Sequence, residues 1–218
     1  MFGLSVRCDI AGPLSAVSQH NRCVAAAKQE LAQRQLVSRA ECILNATTDA
    51  LREDFFVRPD VAFLREAYVG TRLARHLNAP SIQIPDDTFP DFRIFFSSSH
   101  EDFECTEVMD SCRKRGDEYK TIKERRVIGE KNQPRPIPDR LFSRENCIHA
   151  IREGCKKKIR RYGERRRLES LVIYLNDYWP SDDELSTVIT SGTCEARLYF
   201  NTVYVLTGSQ VFNAEECI

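Results

Sequence analysis

Asp91 and Glu104 are the residues of this sequence whose types and spacing could do chemistry. Each lies in a short segment rich in aromatic and apolar residues, and Ser97-Ser98-Ser99 separates the two segments as a turn region. Two adjacent carboxylates repel each other, and a shared divalent cation is the simplest group that neutralises them. The pair therefore predicts a cation site, provided that the chain brings the two segments together.

The elements that must position this pair are predicted strands over residues 91–96 and 102–108, the second and third strands of a meander whose first strand is predicted at 81–84. Side chains alternate between the two faces of a strand, so Glu104 shares a face with Thr106, whereas Phe103 and Cys105 point to the other side. If the two strands are neighbours in a hairpin, Asp91 and Glu104 come within a few ångströms of each other.

Glu66 is a third acid that fits this pattern. It lies in a predicted helix over residues 60–77 and shares a face with Gly70 and two leucines, which we expect to pack against the sheet. A carboxylate on a packed face is costly unless it is paired or bound to metal. Two interpretations stay open: a metal ligand, or an ion pair with Arg65, Arg93 or another arginine.

The element order predicts an α/β protein. One or two helices at about 14–52 precede this region. It is followed by a long helix at 139–162, a buried strand at 168–175, another helix from 181 onward and a last strand at 201–206. A short helix at 111–126 and a proline-containing loop lie between. A meander followed by a β-helix-β crossover predicts a mixed central β-sheet flanked by helices. We expect an N-terminal helical extension, 1–58, and an α/β core domain, 59–218.

Charge is unevenly distributed in this chain of 218 residues, although 32 basic residues balance 32 acidic ones. Residues 113–167, the basic segment, contain 20 Lys and Arg against 8 Asp and Glu, and the sequence after them has one basic residue against eight acidic ones. Such a segment indicates contact with phosphates. The alternative is a solvated helix face held by ion pairs.

Several classes of protein are excluded or disfavoured by the sequence. No apolar run is long enough for a transmembrane helix, and no secretory signal is visible. The nine cysteines form no C-x-x-C pair, so we expect free thiols in a reducing compartment and a cytoplasmic protein. Phosphate-binding glycine loops and the G-x-S-x-G motif are also missing.

The runs Pro90-Asp91 and Phe103-Glu104-Cys105-Thr106, in this element order, resemble the PD-(D/E)XK nuclease superfamily over roughly residues 60–206. The resemblance implies a restriction-endonuclease-like core. It also implies that Asp91 and Glu104 are catalytic ligands of Mg²⁺ or Mn²⁺, joined by Glu66 from the first core helix. In that superfamily the metal activates water and stabilises charge on the phosphodiester.

Thr106 departs from the motif, because it stands where the superfamily has lysine and offers no cation to the transition state. Some members take this charge from the helix after the third strand. On that helix Lys158 precedes Tyr162 by four residues, which resembles the Gln-x-x-x-Tyr pattern of nuclease relatives. Lys158 is therefore the first candidate for the missing cation, with Arg93 and Lys157 next. The alternative is that Lys158 only extends along a helix edge.

These observations lead to a metal-dependent nuclease acting on DNA as the first hypothesis, with internal and terminal cleavage both left open. Phosphates would be bound by the basic residues around Lys158, namely Lys156, Lys157, Arg160, Arg161, Arg165, Arg166 and Arg167. The second hypothesis is a catalytically inactive nuclease-fold module that binds nucleic acid or a protein. A third is an α/β protein whose basic helix meets an acidic partner. A homodimer is left open, and no membrane partner is expected.

Overall fold

A computed structural model describes residues 16–51, 59–87, 89–109, 143–162, 168–176, 182–208 and 210–217. Within these ranges the chain is an α/β protein with seven strands in one mixed sheet and helices on both faces. The prediction of a mixed sheet flanked by helices is therefore confirmed.

The described helices and strands follow the chain in this order. The helices are α1 (Ala16–Leu31), α2 (Val37–Leu51), α3 (Ala62–His76), α4 (Arg144–Tyr162), α5 (Asp182–Thr193) and α6 (Ala196–Tyr199), with a 3-10 turn at Pro59–Val61 before α3. The strands are β1 (Gln35–Leu36), β2 (Ser81–Gln83), β3 (Phe92–Phe95), β4 (His100–Val108), β5 (Ser170–Leu175), β6 (Val203–Thr207) and β7 (Gln210–Asn213).

The strands lie in the sheet in the same order as in the sequence. β1 to β4 are antiparallel neighbours, β5 and β6 run parallel to β4, and β7 is again antiparallel. A parallel neighbour requires a crossover connection, and α4 lies in the one between β4 and β5. This crossover brings a helix of the basic segment against the strand that carries Glu104.

Two hydrophobic cores lie on the two faces of the sheet. The first packs α1, α2 and α3 against residues such as Ile82, Phe92 and Phe103. The second packs α4 and α5 against β5 and β6, and includes Val108 at the end of β4. Residues 16–51 contribute to the first core, and β1 pairs with β2, so this part of the predicted N-terminal extension packs directly on the sheet.

Some element boundaries differ from those predicted. β4 begins at His100, two residues before the predicted start, because pairing with β3 continues to Phe95 opposite His100. β1, β7 and α6 were not predicted, since they are short and carry no clear periodicity. The predicted short helix at 111–126 and the proline-containing loop lie outside the described residues. No helix in the described ranges is long and apolar enough to cross a membrane.

Candidate active site

Asp91 and Glu104 are brought together by the hairpin of β3 and β4. The two strands are antiparallel neighbours, and Phe92 pairs with Phe103, so the next position along places Asp91 opposite Glu104. The rings of Phe92 and Phe103 stack with centroids 5.2 Å apart and hold this register in the first core. The backbone N–H of Cys105 donates a 2.6 Å hydrogen bond to Asp91 Oδ2.

Lys158 reaches this pair from α4. Its ammonium group lies 2.9 Å from Asp91 Oδ2 and 2.5 Å from Glu104 Oε2. The three side chains are largely removed from solvent, with exposures of 11% for Lys158, 15% for Asp91 and none for Glu104. The lysine therefore bridges the two carboxylates within a mostly buried site.

The close approach of α4 to β4 makes this contact feasible. Ile151 and Cys155 are buried on the helix face that also carries Lys158. Gly154 lies so near the sheet that an added Cβ would be 2.9 Å from Val108 Cγ2. A side chain at this position would push helix and strand apart, so glycine permits the helix to dock at the distance that Lys158 requires.

Burial and charge oppose each other in this site. Burial raises the pKa of Glu104 above its ordinary value, the charge of Asp91 adds to this, and Lys158 acts against both. For Lys158, burial by itself lowers the pKa, but its interactions with Asp91 and Glu104 outweigh burial and raise it. Lys158 consequently remains a cation between the two acids at neutral pH.

The carboxylate of Glu104 also interacts with Tyr162, the residue one turn after Lys158 on α4. Oε1 of Glu104 is buried, and a side-chain hydrogen bond with Tyr162 acts to lower the pKa of this carboxyl. Burial raises the pKa of Tyr162 to about 12, and its interaction with Glu104 acts in the same direction. Tyr162 therefore belongs to the same cluster as Asp91, Glu104 and Lys158.

Glu66 lies beside this cluster on α3. Burial raises its pKa to about 7, and the charge of Asp91 contributes in the same direction. The partners proposed for an ion pair are directed elsewhere, because Arg93 forms a bidentate pair with Asp102 and Arg65 lies 3.7 Å from Glu107. Glu66 is therefore a partly buried acid that protonates near neutral pH.

The three acids Glu66, Asp91 and Glu104 do not form a preformed metal-binding site. Among the described residues, no group of three or more His, Cys, Asp or Glu side chains is arranged to hold a metal ion. Glu66, Asp91 and Glu104 influence one another electrostatically, and the Lys158 ammonium lies between the last two. The donors are nonetheless carboxylate oxygens, which Mg²⁺ and Mn²⁺ prefer.

The other predicted site residues divide into four groups. Thr106 lies on the Glu104 face of β4, directly beneath Gly154 of α4, but is no cation. Arg93 is paired with Asp102 and Lys157 is exposed, so neither takes the place proposed for Lys158. Lys156 pairs with Glu153, and Arg160 and Arg161 are exposed on α4. Arg165, Arg166 and Arg167 lie outside the described residues.

Sequence reasoning named Tyr162 only as part of a pattern with Lys158, and it missed Phe89 and the backbone N–H of Cys105. The ring of Phe89 packs edge-on against Tyr162 with centroids 6.0 Å apart, and the Arg161 guanidinium lies 5.5 Å from the Tyr162 ring centre. The position of Tyr162, one turn after Lys158, was a usable signal. The Cys105 N–H carried none, because its partner depends on strand pairing.

No family model, curated protein or solved structure matches this chain. The function is therefore argued from the site itself.

Proposed function

We propose that this protein is a metal-dependent endonuclease that hydrolyses phosphodiester bonds in DNA and has a restriction-endonuclease-like core. The observation that carries the proposal is the meeting of Lys158 with Asp91 and Glu104. Two acids from a hairpin and a lysine from the following helix are the groups that such hydrolysis needs, and they come from three separate elements of the chain. The helix–strand–strand–strand–helix–strand order of α3, β2, β3, β4, α4 and β5 supports the same core.

Asp91 and Glu104 would hold the metal, with Glu66 as a third ligand. When bound, Mg²⁺ or Mn²⁺ supplies an activated water and neutralises charge on the phosphodiester. The Cys105 N–H orients Asp91 for this task, and strand pairing places Glu104 opposite it. Glu66 has a pKa near 7 and so gains its charge near neutral pH, which favours cation binding as the pH rises.

Lys158 has two tasks in this proposal. Its ammonium keeps the two carboxylates together despite their mutual repulsion, and it presents a positive charge where negative charge develops on the substrate. Thr106 cannot do this, so Lys158 replaces the lysine that the motif places on the strand. The exposed residues Lys157, Arg160 and Arg161 extend this positive surface along α4 toward the phosphates of the substrate.

A second candidate is a catalytically inactive nuclease-fold module that binds nucleic acid. It is favoured by the same ion pairs, because Lys158 already neutralises both acids and no three-acid metal group exists among the described residues. In this case Asp91, Glu104 and Lys158 would be a structural cluster, and the basic surface of α4 would be the functional part.

The deciding experiment incubates the purified full chain with supercoiled plasmid and with single-stranded DNA, in Mg²⁺, Mn²⁺ or EDTA. The test variants are Asp91→Asn and Glu104→Gln, which remove charge and keep shape. Asp102→Asn is the matched control, because Asp102 lies in the same hairpin and pairs with Arg93. Calorimetric titration with Mn²⁺ gives an independent measure of metal binding.

Metal-dependent nicking that disappears in Asp91→Asn and Glu104→Gln but persists in Asp102→Asn is the expected result. Loss of Mn²⁺ binding in the same two variants would assign the ligands. Wild-type protein that binds DNA in a salt-sensitive manner without metal-dependent cleavage would overturn the nuclease and favour the binding module.

A further inference from the structure

A second surface beside the candidate active site combines arginine and tyrosine side chains. Arg65, Tyr68 and Arg72 follow one another on α3 at spacings of three and four residues, so they share one face of the helix. Arg72 is exposed, and the Arg65 side chain is 41% exposed. The function proposed above uses none of the three. We call them, together with Tyr174 of β5, the α3 patch.

The α3 patch contains a preformed stack. The Arg72 guanidinium lies 5.4 Å from the centre of the Tyr68 ring, and that ring lies 5.8 Å from the ring of Tyr174 at an angle of 59°. The Tyr68 hydroxyl lies 3.5 Å from the carbonyl oxygen of Gly208, at the turn after β6. Tyr174 and Gly208 therefore hold Tyr68 against the sheet, and the exposed Arg72 guanidinium lies over the Tyr68 ring.

The α3 patch adjoins the acids through Glu66. Arg65 directly precedes Glu66 on α3, and its guanidinium lies 3.7 Å from Glu107 Oε2. Glu107 is the register partner of Tyr174, and strand alternation puts it on the Cys105 face of β4, opposite to the face of Glu104 and Thr106. The patch therefore lies on the α3 side of the sheet, next to Glu66 and across β4 from the Glu104 side chain.

In the α3 patch the charge of Arg72 is available to a ligand, whereas Arg65 shares its charge with Glu107 at 3.7 Å. Arg75, on the same helix, is different, because it forms a bidentate pair with Glu41. Glu107 also accepts a 2.6 Å hydrogen bond from the Asn176 side chain, so its carboxylate is already engaged by two neighbours. Among the described residues, the exposed guanidinium of Arg72 interacts with the Tyr68 ring and, at longer range, with the charge of Glu41. It forms no bidentate pair of the kind that Arg75 forms.

We infer that the α3 patch binds unpaired nucleotides of the substrate, with a base stacking on the Arg72–Tyr68 pair and Arg65 contacting a phosphate. Guanidinium planes and aromatic rings offer stacking surfaces to bases of any sequence, and only unstacked bases in a single strand can use them. The inference deepens the proposed function and rests on it: the substrate class becomes DNA with a single-stranded segment adjoining the cleaved bond.

Binding is measured by fluorescence anisotropy in EDTA, so that no cleavage interferes. The probes are a labelled single strand, the duplex of the same length, and an abasic strand with the same number of phosphates. The variants are Arg72→Gln, Arg72→Lys and Arg65→Gln. Arg22→Gln is the matched control, because Arg22 is exposed on α1, which packs on α2 rather than on the active site.

We expect Arg72→Gln to raise the dissociation constant for the single strand about fivefold or more, as loss of one stacked base does. Arg72→Lys keeps the charge but loses the planar stack, so it should recover only a part of the affinity. The duplex and the abasic strand should change less than the single strand. Thermal unfolding of each variant shows whether the fold is intact.

Three results would overturn the inference: no binding of the single strand by the wild type, no difference between Arg72→Gln and Arg22→Gln, or an equal loss of affinity for all three probes. The last would mean that Arg72 acts by charge alone. Because this assay contains no metal, its failure is distinguishable from failure of the proposed nuclease, which concerns Asp91 and Glu104 in the cleavage assay.

Discussion

The ammonium group of Lys158 lies 2.5 Å from Oε2 of Glu104, a carboxylate with no exposure to solvent. Removing two such charges from water costs about as much as their attraction returns, so a buried pair of this kind adds little net stability compared with an apolar pair. Breaking it is different, since the remaining charge is left buried and alone. The pair thus adds little net stability to the fold, which is consistent with the role that we propose for Lys158 in the site.

Replacing Lys158 by methionine should destabilise the protein strongly. Lys158→Met keeps an unbranched side chain of similar length but leaves the carboxylates of Asp91 and Glu104 without their shared cation. We expect the free energy of unfolding at pH 7 to fall by about 3 kcal/mol, measured by urea denaturation. Lys157→Met, at the exposed neighbouring position, should change it by less than about 0.5 kcal/mol. Equal effects of the two substitutions would contradict the structural assignment.

Divalent cations should compensate for the loss of Lys158. With the lysine gone, the two carboxylates repel each other and a metal ion can replace the missing charge. We therefore expect Mn²⁺ to raise the melting temperature of Lys158→Met more than that of the wild type. In Lys158→Met/Glu104→Gln this gain should shrink, because one donor has lost its charge. A gain of the same size in all three proteins would argue against metal binding by these acids.

Glu66 should make stability depend on pH between its unfolded and folded pKa values. Burial raises its pKa from 4.5 to about 7, so the folded state holds this proton more tightly than the unfolded state does. The stabilising contribution of the Glu66 proton to the free energy of unfolding is fully present below about pH 4.5. It is lost as the pH rises to 7, a change of up to about 3 kcal/mol.

Glu66→Gln removes that titration and tests it. The stability of the variant relative to the wild type should increase between pH 4.5 and 7 and stay constant above pH 7, as measured by urea denaturation at each pH. Glu145→Gln, at an exposed position of α4, should give a constant difference over the same range. A constant difference for Glu66→Gln as well would show that its carboxyl titrates normally.

An alanine at Gly154 should separate α4 from β4. Glycine to alanine usually stabilises a helix by about 1 kcal/mol, but here the new methyl group would lie 2.9 Å from Val108 Cγ2. We expect Gly154→Ala to lower the free energy of unfolding by about 1–3 kcal/mol and to reduce cleavage by moving Lys158 away from the acids. In Gly154→Ala/Val108→Ala the loss should be smaller than the sum of the single losses, because the clash is removed. Additive losses would exclude the clash.

The exposed basic residues of α4 should determine how DNA binding depends on salt. Lys157→Gln, Arg160→Gln and Arg161→Gln each remove one candidate phosphate contact, so each should reduce the slope of log K against log salt by about 1. Arg144→Gln, at the exposed first turn of the same helix, is the control with an equal change of net charge. An equal reduction by Arg144→Gln would mean that net charge, not contact, governs binding.

Much of the local structure was determined by the sequence alone. Alternation along β4 separates Glu104 and Thr106 from Phe103 and Cys105, and helical spacing groups Lys158 with Ile151 and Cys155. These are consequences of strand and helix geometry, which repeats every two or every 3.6 residues whatever the neighbours are. This periodicity suggested the pair Asp91 and Glu104, and the resemblance to the PD-(D/E)XK superfamily added Lys158, before any contact was known.

The tertiary structure decided which of these candidates meet. Arg93 and Lys158 were both possible cations, but strand register places Arg93 opposite Asp102, while the crossover of α4 brings Lys158 to Asp91 and Glu104. The α3 patch likewise depends on Tyr174, more than a hundred residues from Tyr68. Register and helix docking are set by packing between residues distant in the chain, and local periodicity carries no information about them.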